Sequence, residues 1–311
     1  MIKLISLGIL SGAFFSSTFI LNEAMSLEGG HWVWSASLRY AFMLLFLVII
    51  VLFSGGRKQL WDVAELFYSH WQFWILAGSI GFGGFYSLLC FSADFSPGWV
   101  IAATWQFTVV ASLFILILFG RKFPKRVWLF SSLIFLGVIL VNLSHIEDFD
   151  PKVFLLGGIP VLIAAFCYPF GNQLVWEAKN ATNKKIPHIT SPLLNNVFNK
   201  VLLLTVGSIP LWIVLVLITH PPAPSISQTI NTSLVALLSG IFATSIFLFA
   251  RNLASNSNEL AGVDATQASE VIFALLGGII FLDGKTPNNT SIIGLALILV
   301  GLVFFITFQK G

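Results

Sequence analysis

Glu270 is the residue whose presence most needs an explanation. It lies about two turns into an apolar run, residues 263–282, with Gln267 three residues before it and Ala274 four after, followed by Gly277. An ionisable side chain at the centre of a membrane helix costs at least about 2.5–3.5 kcal/mol on insertion scales, so such groups face a cavity or a partner. Helical spacing gathers these four residues into one small, polar stripe. Val271, Ile272 and Leu275 make the opposite side apolar. The stripe is expected to face inward, where a carboxyl can exchange a proton near neutral pH. The plainer alternative is a buried hydrogen bond that holds two helices together.

An offset of 164 places Gln106 on Glu270 and Gly120 on Gly284. An amide does not titrate, so the pair would supply one proton site rather than two. Trp105 stands beside Gln106, about 9 Å into its run at 1.5 Å per residue, where it could line a cavity. Tyr86, Tyr168 and Asn172 are further polar groups within apolar runs, and Asn195, Asn196 and Asn199 lie near the start of another. Aromatic faces at Trp105, Tyr86 or Tyr168 could hold a cation.

Two charged pairs suggest gates. Glu23 closes the first run while Arg39 lies two turns inside the second; Glu177 closes the sixth while Lys200 lies about two turns inside the seventh. Each pair could close as a salt bridge at one entrance. Against this, Arg39 and Lys200 could snorkel to the interface.

The elements that position these residues follow from composition. Of 311 residues, 57% are hydrophobic and 9% charged, and mean hydropathy is +0.93. Soluble proteins carry about 25% charge, so a cytosolic enzyme, a secreted disulfide scaffold, a disordered chain and a nucleic-acid binder are excluded. Cys90 and Cys167 sit in apolar runs without metal spacing. A membrane helix needs about 20 apolar residues. Runs of that kind fall near 3–24, 32–53, 71–92, 99–119, 127–143, 153–177, 193–219, 233–251, 263–282 and 289–309. Ten spans leave only short loops.

Orientation comes from Lys and Arg, which favour cytoplasmic loops. With the N-terminus inside, twelve cations are cytoplasmic: Lys3, Arg57, Lys58, Arg121, Lys122, Lys125, Arg126, Lys179, Lys184, Lys185, Arg251 and Lys310. Two, Lys152 and Lys285, are outside. Both termini are therefore expected in the cytoplasm of a plasma-membrane protein. Trp32, Trp34, Trp71, Trp74, Trp99 and Trp128 stand near the starts of spans, as an interfacial belt requires.

Five spans precede the loop at residues 146–151 and five follow it. Five is odd, so similar halves (1–146 and 147–311) enter the bilayer from opposite sides, as in many secondary transporters. Gly8/Gly12 and Gly78/Gly81 read as close-packing stripes. Pro160, Pro169 and Pro210 are candidates for kinks. Gly284-Lys285-Thr286 is no phosphate loop, because the glycine required at 279 is Ile. No nucleophile elbow, HExxH or metal cluster occurs, and no cofactor is expected.

Two stretches carry a family resemblance. Phe14-Phe15-Ser16-Ser17-Thr18-Phe19-Ile20-Leu21-Asn22, and Gly81-Phe82-Gly83-Gly84-Phe85-Tyr86 continuing to Ser96-Pro97-Gly98-Trp99 and Ala103-Thr104-Trp105-Gln106-Phe107, resemble the drug/metabolite transporter superfamily. Ala265-Thr266-Gln267-Ala268-Ser269-Glu270 fits as well. Over essentially the whole chain, the resemblance is greatest to the ten-helix branch of multidrug-resistance efflux transporters. It implies a basket of two inverted five-helix repeats, with spans one, three, four, six, eight and nine around a central cavity, and alternating access driven by protons or by the solute's gradient. Four-helix relatives keep a glutamate in the middle of the first helix. Here Gly12-Ala13-Phe14-Phe15-Ser16 and its counterpart Ala164-Ala165-Phe166-Cys167 have none. A substrate-competing carboxylate would then be Glu270.

The expectation is an all-α proton antiporter, a monomer or homodimer, that exports small cationic or zwitterionic amphiphiles. A metabolite facilitator without proton coupling is the alternative. A channel would more usually show a continuous polar stripe, and an intramembrane enzyme lacks its nucleophile here.

Overall fold

The computed structural model describes residues 2–120, 125–144, 152, 154–180, 185–255 and 257–308. Among them the chain is helix joined by short connections, without a strand. The long helices are α1 (Ile2–Leu27), α2 (Trp32–Ser69), α3 (Trp71–Ser92), α4 (Gly98–Leu118), α5 (Lys125–Ser144), α6 (Phe154–Asn180), α7 (Val197–Thr219), α8 (Ile226–Leu253), α9 (Gly262–Phe281) and α10 (Asn289–Phe308). Nine of the described helices are apolar and long enough to cross a bilayer; α5 has a shorter apolar stretch, Trp128–Leu143. Arg121, Lys122, Lys184 and Lys310, and the central loop at 146–151, lie outside the described residues.

Local chemistry sets the helix starts. The orphan amides of a first turn need an acceptor. Asn196 Oδ1 takes the Phe198 amide at 2.8 Å for α7, and Ser225 Oγ takes the Gln228 amide at 3.0 Å for α8. One connection differs from expectation. Residues 57–69 read as loop but continue α2 as helix, after a break at Gly56 whose φ of 70° is open to glycine without steric cost. Helix also runs through Pro169 and Pro210. Trp74 and Trp99 are buried against other helices, and the Trp74 indole donates to Leu66 O at 3.3 Å.

Packing pairs the helices in a repeating way. α1 packs on α9 and α8, and α6 packs on α4 and α3. α2 contacts α7 and α8; α7 in turn contacts α3. α5 and α10 lie against each other. Small residues permit these approaches. A Cβ on Gly81 would lie 2.9 Å from the Gly171 Cα, so α3 and α6 meet backbone to backbone. Gly8 and Gly12 likewise seat α1 against Thr266 and Ser269 of α9.

Several helices depart from regular α geometry, among them α6, which opens with a π-turn at Phe154–Gly158. α3 carries a π-turn at Ser79–Gly84, and α8 carries one at Ala236–Ala243. α4 breaks between Trp105 and Thr108; α9 passes through a 3₁₀ turn at Thr266–Ala268. Such departures interrupt the regular backbone ladder and often mark functional sites.

Candidate functional site

Polar side chains from beside the breaks in α4 and α9 meet. Gln106 Nε2 donates to Glu270 Oε1 at 2.5 Å and is 3.3 Å from Ala102 O. Both residues are buried, with Glu270 7% exposed. Among the described residues the Glu270 carboxyl has one hydrogen-bond partner, a neutral donor, and forms no ion pair. Beside Gln106, Thr104 Oγ1 accepts a bond from Asn142 Nδ2 of α5 at 2.6 Å, which fixes the first half of α4 to its outer neighbour.

Glu270 forms part of the wall of a cavity of about 210 Å³. Gln267 lies on the same wall; Ala274 and Gly277, the rest of the stripe, are buried but are not among the residues lining it. An aromatic group covers another side. The Phe85 ring lies 4.7 Å from Trp105 and 5.2 Å from Tyr168, and Trp105 lies 5.8 Å from Tyr168. Thr108, freed by the break in α4, turns its hydroxyl to Ala165 O at 3.2 Å and also lines the space. This volume is below the roughly 300–1,000 Å³ of drug-sized pockets.

Arg39 completes the wall from α2. Only 8% exposed, it bonds Ser239 through Nη2 at 3.3 Å, and its Cζ stands 3.9 Å from the centre of the Tyr86 ring. Its Nε and Nη1 have no hydrogen-bond partner. Tyr86 is wholly buried behind it rather than on the cavity wall, held by Asn22, whose Nδ2 donates to the tyrosine oxygen at 3.1 Å.

The structure does not bring the expected gating pairs together. Glu23 turns from Arg39 to accept the Gly98 amide at 2.8 Å. There it caps α4, whose own N-cap residue, Pro97, offers no side-chain acceptor. Glu23 also borders a second cavity, of about 330 Å³, with Lys285. Glu177 is buried and accepts from Gln173 Nε2 at 2.8 Å; it does not pair with Lys200. Lys200 lies in the first turn of α7, less deep than the sequence suggested. Asn172 is exposed and bonds Tyr168 O at 3.0 Å, away from the cavity. Asn22, Phe85, Asn142 and Ser239 were not singled out by sequence. Asn22 and Asn142 had a signal, being amides inside apolar runs.

The family described as "Putative multidrug resistance efflux transporter", EmrE, matches residues 2–311. The chain belongs to this family. Members of the EmrE family are membrane transporters of small molecules, and this one is a multi-pass membrane protein. An uncharacterized Bacillus subtilis protein, YjlA, is 38% identical over 317 residues, covering 97% of this EmrE-family chain and 93% of its own. An uncharacterized 42.1 kDa protein of Shouchella clausii is 36% identical over 281 residues, covering 86% and 70%. A solved crystal structure, 15% identical, aligns with a TM-score of 0.59 over 98% of this chain and 96% of that one, a likeness of fold.

Proposed function

We propose that the chain is a secondary transporter that exports small cationic or zwitterionic amphiphiles across the plasma membrane in exchange for protons. One observation carries the reading. Glu270 sits on the wall of a partly open cavity, just past a helix break, with an amide as its hydrogen-bond partner. There it is accessible to a solute or a proton, yet tied to no permanent counter-ion. The aromatic group of Phe85, Trp105 and Tyr168 suits the apolar or cationic body of an amphiphile.

The two halves act as inverted repeats in this reading. Its support is the recurrence of π-turns in α3 and α8, of breaks in α4 and α9, and of helix pairings between the halves. Alternating access then rocks one set of helices against the other around a fixed midplane site. The metabolite facilitator has an observation in its favour too. The Gln106 bond could hold Glu270 as a permanent ligand that never releases its place to a proton.

Proteoliposomes loaded with a pH-sensitive dye separate the two. Organic cations and zwitterions are added to wild type and to Glu270→Gln. Solute-driven proton movement, lost in the variant, is the expected result. Solute flux without proton movement, unchanged in the variant, would overturn antiport and leave the facilitator.

A further inference from the structure

We propose that the transported solute carries a carboxylate, and that Arg39 is the group that recognises it. The inference rests on the transport reading only in assigning the cavity to a solute.

The geometry supplies the argument. A guanidinium offers five N–H donors in a planar fork and does not lose its charge. Arg39 lines the cavity, is more than nine-tenths buried, and forms one long bond, to Ser239. Two of its three nitrogens lack a partner. Among the described residues no acidic side chain pairs with it: the nearby polar groups are Ser239, Tyr40 and Tyr86, and the buried Cys90. Snorkelling to the interface would leave the guanidinium in water, and its burial rules that out in this state. Tyr86, fixed by Asn22, backs the cation with its ring face, and the unpartnered Nε and Nη1 are covered in this state, so a carboxylate must displace their apolar cover to reach them. Planar oxyanions are what such a fork matches.

Glu270 limits which anion fits. It shares the cavity without forming an ion pair with Arg39, while Tyr168 lies within electrostatic reach of both. A polyanion would be repelled by Glu270, and a simple lipophilic cation by Arg39. A zwitterion satisfies both ends, with its carboxylate at Arg39, its ammonium at Glu270 and its body against Phe85, Trp105 and Tyr168. The cavity's modest volume favours a solute of amino-acid size over a multi-ring drug.

The test uses matched trios and the purified full-length chain. Each trio holds an amino acid, its decarboxylated amine and its deaminated acid, built on phenyl, hydroxyphenyl and branched aliphatic bodies. Calorimetric titration in detergent gives affinities for wild type, Arg39→Gln and Arg39→Lys. We expect at least one amino acid to bind tenfold or more tightly than its amine in wild type. Arg39→Gln should abolish that preference, and Arg39→Lys should retain part of it. Amines that bind as well as their amino acids in every trio would overturn the proposal. So would the absence of binding by any carboxylate-bearing member. The wild-type comparison stands even if a variant fails to fold. Amine-driven proton movement in liposomes, without carboxylate preference, would sink this inference and leave antiport standing. Carboxylate recognition without proton movement would do the reverse.

Discussion

At the scale of single residues, the pairing of Gln106 with Glu270 is the contact on which most depends. A buried acceptor deprived of its donor loses about 1–3 kcal/mol. Gln106→Leu keeps the volume and removes that donor. We expect it to lower the thermal midpoint by a few degrees and to cut solute-driven proton movement tenfold or more. A variant as stable and as active as wild type would show that the bond does nothing. Glu270 and Gln106 were legible because each is a polar residue in an apolar run, and a single offset related them. Arg39 was legible as an anomaly, but its surroundings were not. Ser239 lies 200 residues away and Tyr86 comes from another helix, and only the fold selects such neighbours. Glu23 misled for a related reason: its partner is the Gly98 backbone amide, a group every residue possesses and no sequence pattern flags.

At the scale of elements, helix locations could be read because the bilayer fixes their length and apolarity. Their irregularities could not. A break or π-turn depends on what packs across it, and Gly78, Gly81 and Gly83 look alike in sequence whether or not the ladder shifts there. The apolar run that marks α2 in the sequence ends near residue 53, yet the helix continues over 57–69, redirected at Gly56. Two expectations test how elements are joined. Glu23 ties α1 to the start of α4, so Glu23→Ala should cost about 1 kcal/mol, the usual range for a lost cap. Faster hydrogen exchange should follow in the first turn of α4, with Glu23→Gln milder because it keeps an acceptor. Unchanged exchange at residues 98–101 would argue against the cap. At the α3–α6 crossing, Gly81→Val sets a branched side chain against the Gly171 backbone, which cannot rotate away. A loss of about 1–3 kcal/mol is expected for such overpacking; a denaturation midpoint equal to wild type would mean that the two backbones separate easily.

At the scale of the molecule, the question is whether the halves are equivalent enough to exchange parts. Under the proposed repeat, the packing of α1 on α9 and α8 matches that of α6 on α4 and α3, and the π-turn of α3 matches that of α8, whereas the π-turn opening α6 has no counterpart in α1. The chemistry at the centre is nevertheless unequal, with an amide on α4 and a carboxyl on α9. Inverted repeats would make these positions pseudo-equivalent, approached from opposite faces of the membrane. The double exchange Gln106→Glu with Glu270→Gln then rebuilds the same amide–carboxyl bond with its direction reversed. Each single change instead leaves two amides or two carboxyls in the same buried space. Residues in direct contact are where the effects of mutations fail to add. The doubly exchanged protein should therefore be at least as stable as either single variant, and should recover a measurable part of the proton movement that Glu270→Gln loses. A double variant less stable than both singles would show that the two sites differ in more than the residues they carry, and the repeat would then describe the backbone alone. Recovered stability without proton movement would assign the asymmetry to function, with α9 as the helix on which the carboxyl must ride.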